Sequence, residues 1–561
     1  MKFILIFLQI TIVLLASQIS TYAQFEKSIL TTGLDYPWEI TFGPDGRIWT
    51  TERQGKRVTA VNPINGNKKT LVQINEVFFN PASFSRQDGL LGMALHPNLL
   101  KDTNEDFIYL AYTYSTNGSA SGIKARIVRY TYDKSNDLLT TPQILINGLS
   151  ANSDHNSGRL KFGPDNKLYY TIGDLGANQF NSKCQPIASQ LLPSSSDVAN
   201  MDYSLYKGKV LRINLDGSIP TDNPELNGVR SHIFTYGHRN AQGIVFNNEG
   251  ILYSNEHGPK TDDEINILIG GKNYGWPHVA GYRDGKNYRY CRWASVSNCE
   301  STEYSDFRCP LGEGESEFSW NHPDFTAPIR TFYTVDDDYD FNNPPNGCGS
   351  SNFICWPSIA PSSIDLYESD NYTSTIPEWG NSLLNVSLKN GRVYRTKLSG
   401  NGKEIIEDSE ELWDTQNRYR DIAISNDGIT FYIATDSKGS TSGPSGGNTA
   451  DLENPGAILA FKYVGELEEL VLNNATLNLT ENEFQKISYL YPNPVKSQLL
   501  LKTVKNITPT VTLHSTSGEI VRTLKFEKDS PITVSDLAQG IYFAKITAVN
   551  GSSFIQKILK K

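Results

Sequence analysis

Residues 160–174 read LKFGPDNKLYYTIGD: an alternating apolar run, a Gly-Pro-Asp-Asn turn and a second alternating run. Strand side chains alternate between faces, and Asp, Asn and Gly tolerate the positive φ of tight turns, so this pattern predicts a β-hairpin. The pattern recurs on both sides. It reads ITFGPDGRIWTTE at 40–52, IVFNNEGILYSNE at 244–256 and IAISNDGITFYIATD at 422–436. Weaker copies are MALHPN…FIYLAYTY across 93–114 and SLLNVSLKNGRVYRTKL at 382–398. Six copies, unevenly spaced, predict repeated four-stranded sheets with long loops between them. Radial repetition of such sheets makes a β-propeller, which protects its strand edges. The expected architecture is therefore all-β, a six-bladed β-propeller with long loops on one face; two tandem β-sandwiches are the alternative.

Composition supports this class. The chain has 561 residues and a net charge of −10, which argues against nucleic acid as a partner, since phosphate binding needs a basic face. Met is scarce, at 3, and long Leu/Ala/Glu/Lys stretches are absent, which disfavours helical bundles and polytopic membrane proteins. Residues 1–23 read as a secretory signal: Lys2, an apolar core from Phe3 to Leu15, and Thr21-Tyr22-Ala23 at the cleavage site. That core falls short of the ~20 residues of a membrane span, and no transmembrane span is expected. In an exported chain the six Cys are expected to pair. Cys348 and Cys355 flank the polar loop GSSNFI and are the expected local bridge. The pairing of Cys184, Cys291, Cys299 and Cys309 stays open. No C-x-x-C pair supports zinc.

The segment 464–487 is acidic, lacks a strong repeat and reads as a linker after the expected propeller at 24–463. Residues 488–561 carry at least three alternating strands and predict a small C-terminal β-sandwich. Tyr491-Pro492-Asn493-Pro494, Gly540-Ile541-Tyr542-Phe543 and the Lys560-Lys561 end make this tail resemble the sorting domain of type IX secretion. Engagement with secretion machinery and a secreted or cell-surface location follow from that resemblance. A generic carbohydrate-binding sandwich is the alternative.

Three clusters carry chemistry. In Asp154-His155-Asn156-Ser157-Gly158-Arg159, a His stands beside a strand start, with Asp174 ending the next strand. A carboxylate there could fix one imidazole tautomer and raise the basicity of the other nitrogen. The second cluster is Gly237-His238-Arg239-Asn240 with Glu256-His257-Gly258-Pro259, where Gly-Pro exposes carbonyls that suit a hard cation such as Ca²⁺. Asp262-Asp263-Glu264, with Tyr274, Tyr282 and Asp284, offers further oxygen ligands, or a solvated loop. The third cluster is Lys389 with Arg418 and Arg420. Arginines at i and i+2 share a strand face and match carboxylates bidentately.

With RQDGLLGMALHP, DHNSGRLKFGPD, YKGKVLRINLDGSIPTDNP, YGHRNAQG, DDEINILIGGKNYGWPHVAGY, ICWPSIAPSS and NRYRDIA in order, the chain resembles the soluble PQQ-dependent glucose and aldose dehydrogenases from about Gly33 to Tyr463. The resemblance implies PQQ and Ca²⁺ as cofactors, an aldose as substrate, an external electron acceptor and a homodimer. It implies His155 as the base that takes the C1 hydroxyl proton, Asp174 as its orienting carboxylate, and Arg239 beside the quinone. Asn240, His257, Lys389, Arg418 and Arg420 match cofactor-binding positions. Gln87, Asp154, Phe353, Trp356 and Asp436 match the sugar site. Gly258 and Pro259 match carbonyl ligands of the calcium beside the cofactor. Asp263, Glu264, Tyr274, Ala280, Tyr282, Asp284 and Glu315 match structural calcium sites, and Cys348–Cys355 matches the family disulfide. His257, Phe353 and Ser358 depart from the Gln, Tyr and Thr of close relatives, which bears on substrate preference and pH optimum. A calcium-dependent propeller hydrolase would instead need side-chain carboxylates in a central channel and no basic cluster. A non-catalytic binding propeller would lack His155 or the basic cluster.

Overall fold

The computed structural model describes residues 24–80, 87–305, 308–343, 352–465, 489–491, 493–502, 510–516, 518–525, 531–547 and 553–561. The expected leader, residues 466–487 of the expected linker, and Cys348 lie outside them. The chain forms two compact units, the first ending at Gly465.

In the first unit the described residues form six four-stranded antiparallel sheets. The first is Pro37–Phe42, Ile48–Glu52, Arg57–Val61 and Lys68–Gln73. The second is Leu90–Leu95, Phe107–Ser115, Ile123–Asp133 and Leu138–Ser150. The third is Leu160–Phe162, Leu168–Ile172, Lys209–Ile213 and Ile233–Tyr236. The fourth is Ala241–Phe246, Leu252–Glu256, Asp263–Leu268 and Arg330–Phe332. The fifth is Pro361–Tyr367, Ser382–Ser387, Val393–Lys397 and Glu410–Leu412. The sixth joins Tyr419–Ile424, Thr430–Thr435 and Ile458–Tyr463 to the N-terminal strand Phe25–Thr31.

The leading strands pack in order, and that of the sixth sheet returns to that of the first, so the six make a closed ring. Five of the six sequence hairpins are the first two strands of their sheets. The copy at 382–398 is strands two and three of the fifth sheet, because residues 368–381 separate that sheet's first two strands. At the tight turns the left-handed position is filled by Gly46, Asn166, Gly250 and Gly428, as the turn chemistry requires.

Apolar seams fill the wedges between sheets. Val58, Leu71, Leu110 and Val128 pack between the first and second sheets, and Ile265, Ile364 and Leu383 between the fourth and fifth. Each such fully buried side chain contributes roughly 1.5–3 kcal/mol. Arg159 ties the centre. Its guanidinium donates to Glu39 (2.6 Å), to the Gln242 carbonyl (2.9 Å) and to the Ser362 carbonyl (3.0 Å), and pairs with Asp421 at 3.2 Å. These partners come from the first, fourth, fifth and sixth sheets, so one buried cation spans the ring's axis.

Cys184–Cys299 and Cys291–Cys309 are disulfides, which fixes the pairing that the sequence left open, and Cys355 is also disulfide-bonded. In the second unit, a three-stranded sheet containing Tyr489–Tyr491 and a four-stranded sheet containing Gly540–Thr547 share one core of Leu499, Val511, Leu513, Ala544, Ile546 and Ile558. No described helix is long and apolar enough to cross a membrane.

Candidate active site

In an antiparallel pair, the start of the first strand and the end of the second lie at the same edge. Asp154 to Ser157 precede the third sheet and Asp174 follows its second strand. Arg239 and Asn240 precede the fourth sheet and His257 follows its second strand. Lys389 follows the second strand of the fifth, and Asp436 that of the sixth, whose first strand begins at Tyr419, between Arg418 and Arg420. The ring therefore gathers residues far apart in sequence at one rim.

His155 is buried, and its Nδ1 lies 2.7 Å from Asp174 Oδ1. Asp174 also accepts from Gly176 N (2.9 Å, on Oδ1) and from Trp276 Nε1 (2.9 Å, on Oδ2). A carboxylate only accepts, so His155 Nδ1 must donate, and Nε2 carries the lone pair. This tautomer is assigned from the network of partners. The backbone at His155 has φ 45°, and a Cβ on Gly173 would lie 2.1 Å from the His155 carbonyl oxygen. The loop is held in a left-handed conformation against a glycine that leaves it room, a local strain of the kind concentrated at functional sites.

An amide–carboxylate chain surrounds Nε2. Gln87 Nε2 donates to Asp154 Oδ1 (2.7 Å), and Gln87 Oε1 accepts from His155 N (3.1 Å). Gln179 Nε2 lies 3.2 Å from Asp154 Oδ2 and 3.4 Å from His155 Nε2, while Gln179 Oε1 accepts from Arg239 Nη2 (3.1 Å). Arg239 thereby sets which end of the Gln179 amide faces the imidazole. Glu256 fixes the Arg239 loop by accepting from the backbone N–H groups of Arg239 and Asn240 and by pairing with His238 Nδ1 at 2.9 Å.

The basic residues converge beside this group. Arg420 binds Asp436 in two-point fashion at 2.9 and 2.8 Å, and Arg418 Nε reaches Asp436 at 3.3 Å. Lys389 Nζ donates to the Trp356 carbonyl, and burial pushes this lysine down to about 8. His257 is pushed well below the ordinary imidazole value by burial and then by the charges of Arg239 and His155. Its Nε2 turns to the Pro361 carbonyl at 2.7 Å. Two donors here have no partner among the described residues: Arg239 Nε, which is buried, and Asn240 Nδ2, whose Oδ1 already accepts from Ser157 and Gln242. Converging cations and unpaired donors fit an anionic ligand with several carboxylates and carbonyls.

The acidic loop makes a second group. Glu317 accepts from Ala280 N (3.1 Å) and Gly285 N (3.0 Å), and Glu264 from Gly281 N (2.7 Å). Burial, reinforced by Asp284 and neighbouring carboxylates, pushes Asp262 up to about 6 and Glu317 up to about 7. Burial and Glu256 push Glu264 well above the carboxylate range. No base forms an ion pair with Asp262, Glu264, Asp284 or Glu317 among the described residues. Unneutralised carboxylates, those of Asp262, Glu264 and Glu317 buried, wrapped by a loop suit a hard cation, although no three such ligands already meet at one point among the described residues.

Several expected positions differ in detail. Asp263 accepts from Gly258 N, Ser358 Oγ, Ile359 N and Ala360 N, so its carboxylate organises two loops rather than facing open space. Glu315 pairs with His278 at 2.9 Å and Arg292 at 2.5 Å, so its carboxylate already holds two bases. Glu317, absent from the sequence expectation, points its carboxylate into the acidic loop instead. Phe353 is 47% exposed and Tyr282 38%. Trp356 donates from its indole to the Phe341 carbonyl at 3.3 Å. Tyr274 stacks on His238 with ring centres 4.7 Å apart, which makes it a wall of the Arg239 loop. Sequence reasoning also missed Gln179, Trp276 and Arg53. Of these, Trp276 lies within DDEINILIGGKNYGWPHVAGY, whereas Gln179 and Arg53 lie beyond the ends of the hairpin repeats at 160–174 and 40–52.

Residues 34–311 and 333–442 match the profile of the family described as Glucose / Sorbosone dehydrogenase, and residues 489–561 that of a Secretion system C-terminal sorting domain. The chain is 41% identical over 445 residues to quinoprotein glucose dehydrogenase B of Acinetobacter calcoaceticus, covering 78% of this chain and 91% of that protein. The soluble aldose sugar dehydrogenase of Escherichia coli in its apo form shares the fold at 24% identity and a TM-score of 0.54, over 78% of this chain and 100% of that one. The PQQ-bound aldose sugar dehydrogenase of Streptomyces coelicolor does so at 23% identity and a TM-score of 0.50, over 80% and 99%.

Proposed function

The chain belongs to the glucose/sorbosone dehydrogenase family, and from that membership we propose that it is an exported quinoprotein that oxidises the C1 hydroxyl of an aldose to the aldonolactone. In this reading the six sheets are the blades of a six-bladed β-propeller, and the C-terminal unit is a β-sandwich that serves secretion to the cell surface or beyond. The observation that carries the activity is the His155–Asp174 pair, with the imidazole lone pair turned towards Gln179 and Asp154 beside a basic rim.

Bound at that rim, PQQ would supply the quinone that accepts the hydride of the sugar's C1–H. His155 Nε2 takes the C1 hydroxyl proton, and Asp174 stabilises the imidazolium that results. Gln87, Asp154 and Gln179 offer a connected set of donors and acceptors to orient sugar hydroxyls near C1. Trp356 walls the sugar. Lys389, Arg418 and Arg420 would hold cofactor carboxylates, with Asp436 fixing the two arginines. Arg239 and Asn240, with unpaired donors, would stabilise the negative charge that develops on the quinone. The Gly258 and Pro259 carbonyls would hold a Ca²⁺ that acts as a Lewis acid there. Glu264, Asp284 and Glu317, with backbone carbonyls of Ala280, Tyr282 and Glu315, would hold structural Ca²⁺. The substrate loses two electrons and one proton beyond the hydride's own nucleus, and an external acceptor regenerates the oxidised cofactor.

The test is reconstitution of the mature chain with PQQ and Ca²⁺, followed by glucose-dependent dye reduction. Absence of turnover with every aldose, together with no cofactor-induced absorbance change, would sink the reading. Lactone hydrolysis by the PQQ-free protein would favour a hydrolase instead.

A further inference from the structure

Arg53 was not singled out by any motif, yet its place in the ring is informative. It follows the second strand of the first sheet. Its backbone N–H donates at 2.8 Å to the carbonyl of Tyr36, the residue just before that sheet's first strand. Asp436 donates in the same way to Arg418 (2.9 Å) and His257 to Asn240 (3.4 Å). Arg53 is thus the first sheet's counterpart of two residues already at the rim.

Its side chain is anchored at the stem and unpartnered at the tip. A Cβ on Gly89 would lie 2.8 Å from Arg53 Cγ, so the aliphatic stem runs tightly against a glycine. The guanidinium carbon lies 5.2 Å from the centre of the Tyr36 ring. Arg53 is 5% exposed, yet among the described residues no hydrogen bond or ion pair reaches its guanidinium. Burial and the charge of Arg420 push it down to about 10, against the opposing pull of Asp436 and Asp88. A buried guanidinium with all its donors unspent is costly unless a ligand completes it. The nearby basic set makes that ligand an anion.

We propose that Arg53 is a further anion-holding residue of this site, its guanidinium directed at a carboxylate of the bound cofactor. This rests on the quinoprotein reading above. It assigns to the first sheet a share of cofactor binding otherwise drawn from the fourth, fifth and sixth.

The test compares wild type, Arg53→Met and Arg53→Lys by equilibrium titration with PQQ in the presence of Ca²⁺, and by thermal melting of the cofactor-free protein. Loss of a charge-assisted carboxylate contact predicts about 10- to 100-fold weaker PQQ binding by Arg53→Met, with partial recovery in Arg53→Lys. The cofactor-free Arg53→Met protein should melt no lower than wild type, because the removed guanidinium makes no hydrogen bond or ion pair among the described residues and its burial is no longer opposed by the cost of a charge. Wild-type binding with unchanged affinity in Arg53→Met overturns the role of Arg53 and leaves the quinoprotein reading standing. A lowered melting temperature of cofactor-free Arg53→Met also overturns it, by showing a structural role. If wild type binds no PQQ, both readings fall.

Discussion

Asp174→Asn isolates what the carboxylate does for His155. Asp174 receives three donors: His155 Nδ1 and Gly176 N on one oxygen, Trp276 Nε1 on the other. An amide has only one acceptor atom. If its oxygen faces His155, the amide nitrogen confronts the Trp276 N–H, and a buried donor goes unpaired at about 1–3 kcal/mol. If its nitrogen faces His155, the imidazole must accept at Nδ1, and the proton moves to Nε2, where no base function remains. Either way the charge that balances an imidazolium is gone. Loss of an oriented general base predicts a fall of ~10²–10⁴ in kcat. The assay is steady-state dye reduction at saturating PQQ and Ca²⁺, with a parallel PQQ titration to establish that the cofactor still binds. A variant that binds PQQ normally and keeps kcat within tenfold of wild type would refute the assignment.

Further outcomes can be checked alongside. Because Lys389 is depressed to about 8 by burial, its ammonium is lost from the cofactor-free protein between about 8 and its usual value near 10.5, so PQQ affinity should fall as pH rises above about 8; Lys389→Met should bind more weakly and flatten that slope, and an unchanged slope would exclude Lys389 as its source. In the calcium-free protein Glu317, raised to about 7, holds a proton that the unfolded chain releases from about 4.5 upward, so stability should fall as pH rises across that window, and Ca²⁺ should restore it; identical urea midpoints with Ca²⁺ and with a chelator at pH 7 would count against a structural cation. Gly173→Ala forces a Cβ to within 2.1 Å of the His155 carbonyl and should cost about 1–3 kcal/mol of stability as well as activity; a variant as stable as wild type would mean that the loop yields freely.

The hairpins were legible because both strands and the turn lie within about fifteen residues, where alternation and turn chemistry act together. The fifth sheet was misaligned for the same reason: its first strand, PSSIDLY, lies 14 residues from its partner, and no tight turn announces it. His155, Asp174 and the Arg418/Arg420 pair were legible because they sit where strands begin and end. Gln179 reaches His155 from a loop and Trp276 reaches Asp174 from another sheet's insertion, so no local period marks them. Arg53 and Asp436 occupy matching places, yet only Asp436 stood within a hairpin repeat, as the last residue of IAISNDGITFYIATD, while Arg53 follows the end of ITFGPDGRIWTTE. Glu315 and Glu317 are two residues apart with similar flanks, and only the paths of Arg292 and His278 decide which carboxylate stays unpaired.

The sixth sheet gives the molecule a timetable. Phe25 pairs with Tyr463, and its ring packs 5.2 Å from Trp379 and 5.1 Å from Trp413. The strand that emerges earliest must wait for partners made more than 400 positions later, about 20–90 s at synthesis rates of ~5–20 residues per second. Until then the ring is an open arc with an unsealed edge, held by sheets that can pair only with their neighbours. A cut in the short connection between Thr31 and Pro37 would leave every sheet in place and remove only the clasp. The cost of that cut would measure how far the finished circle depends on its last join.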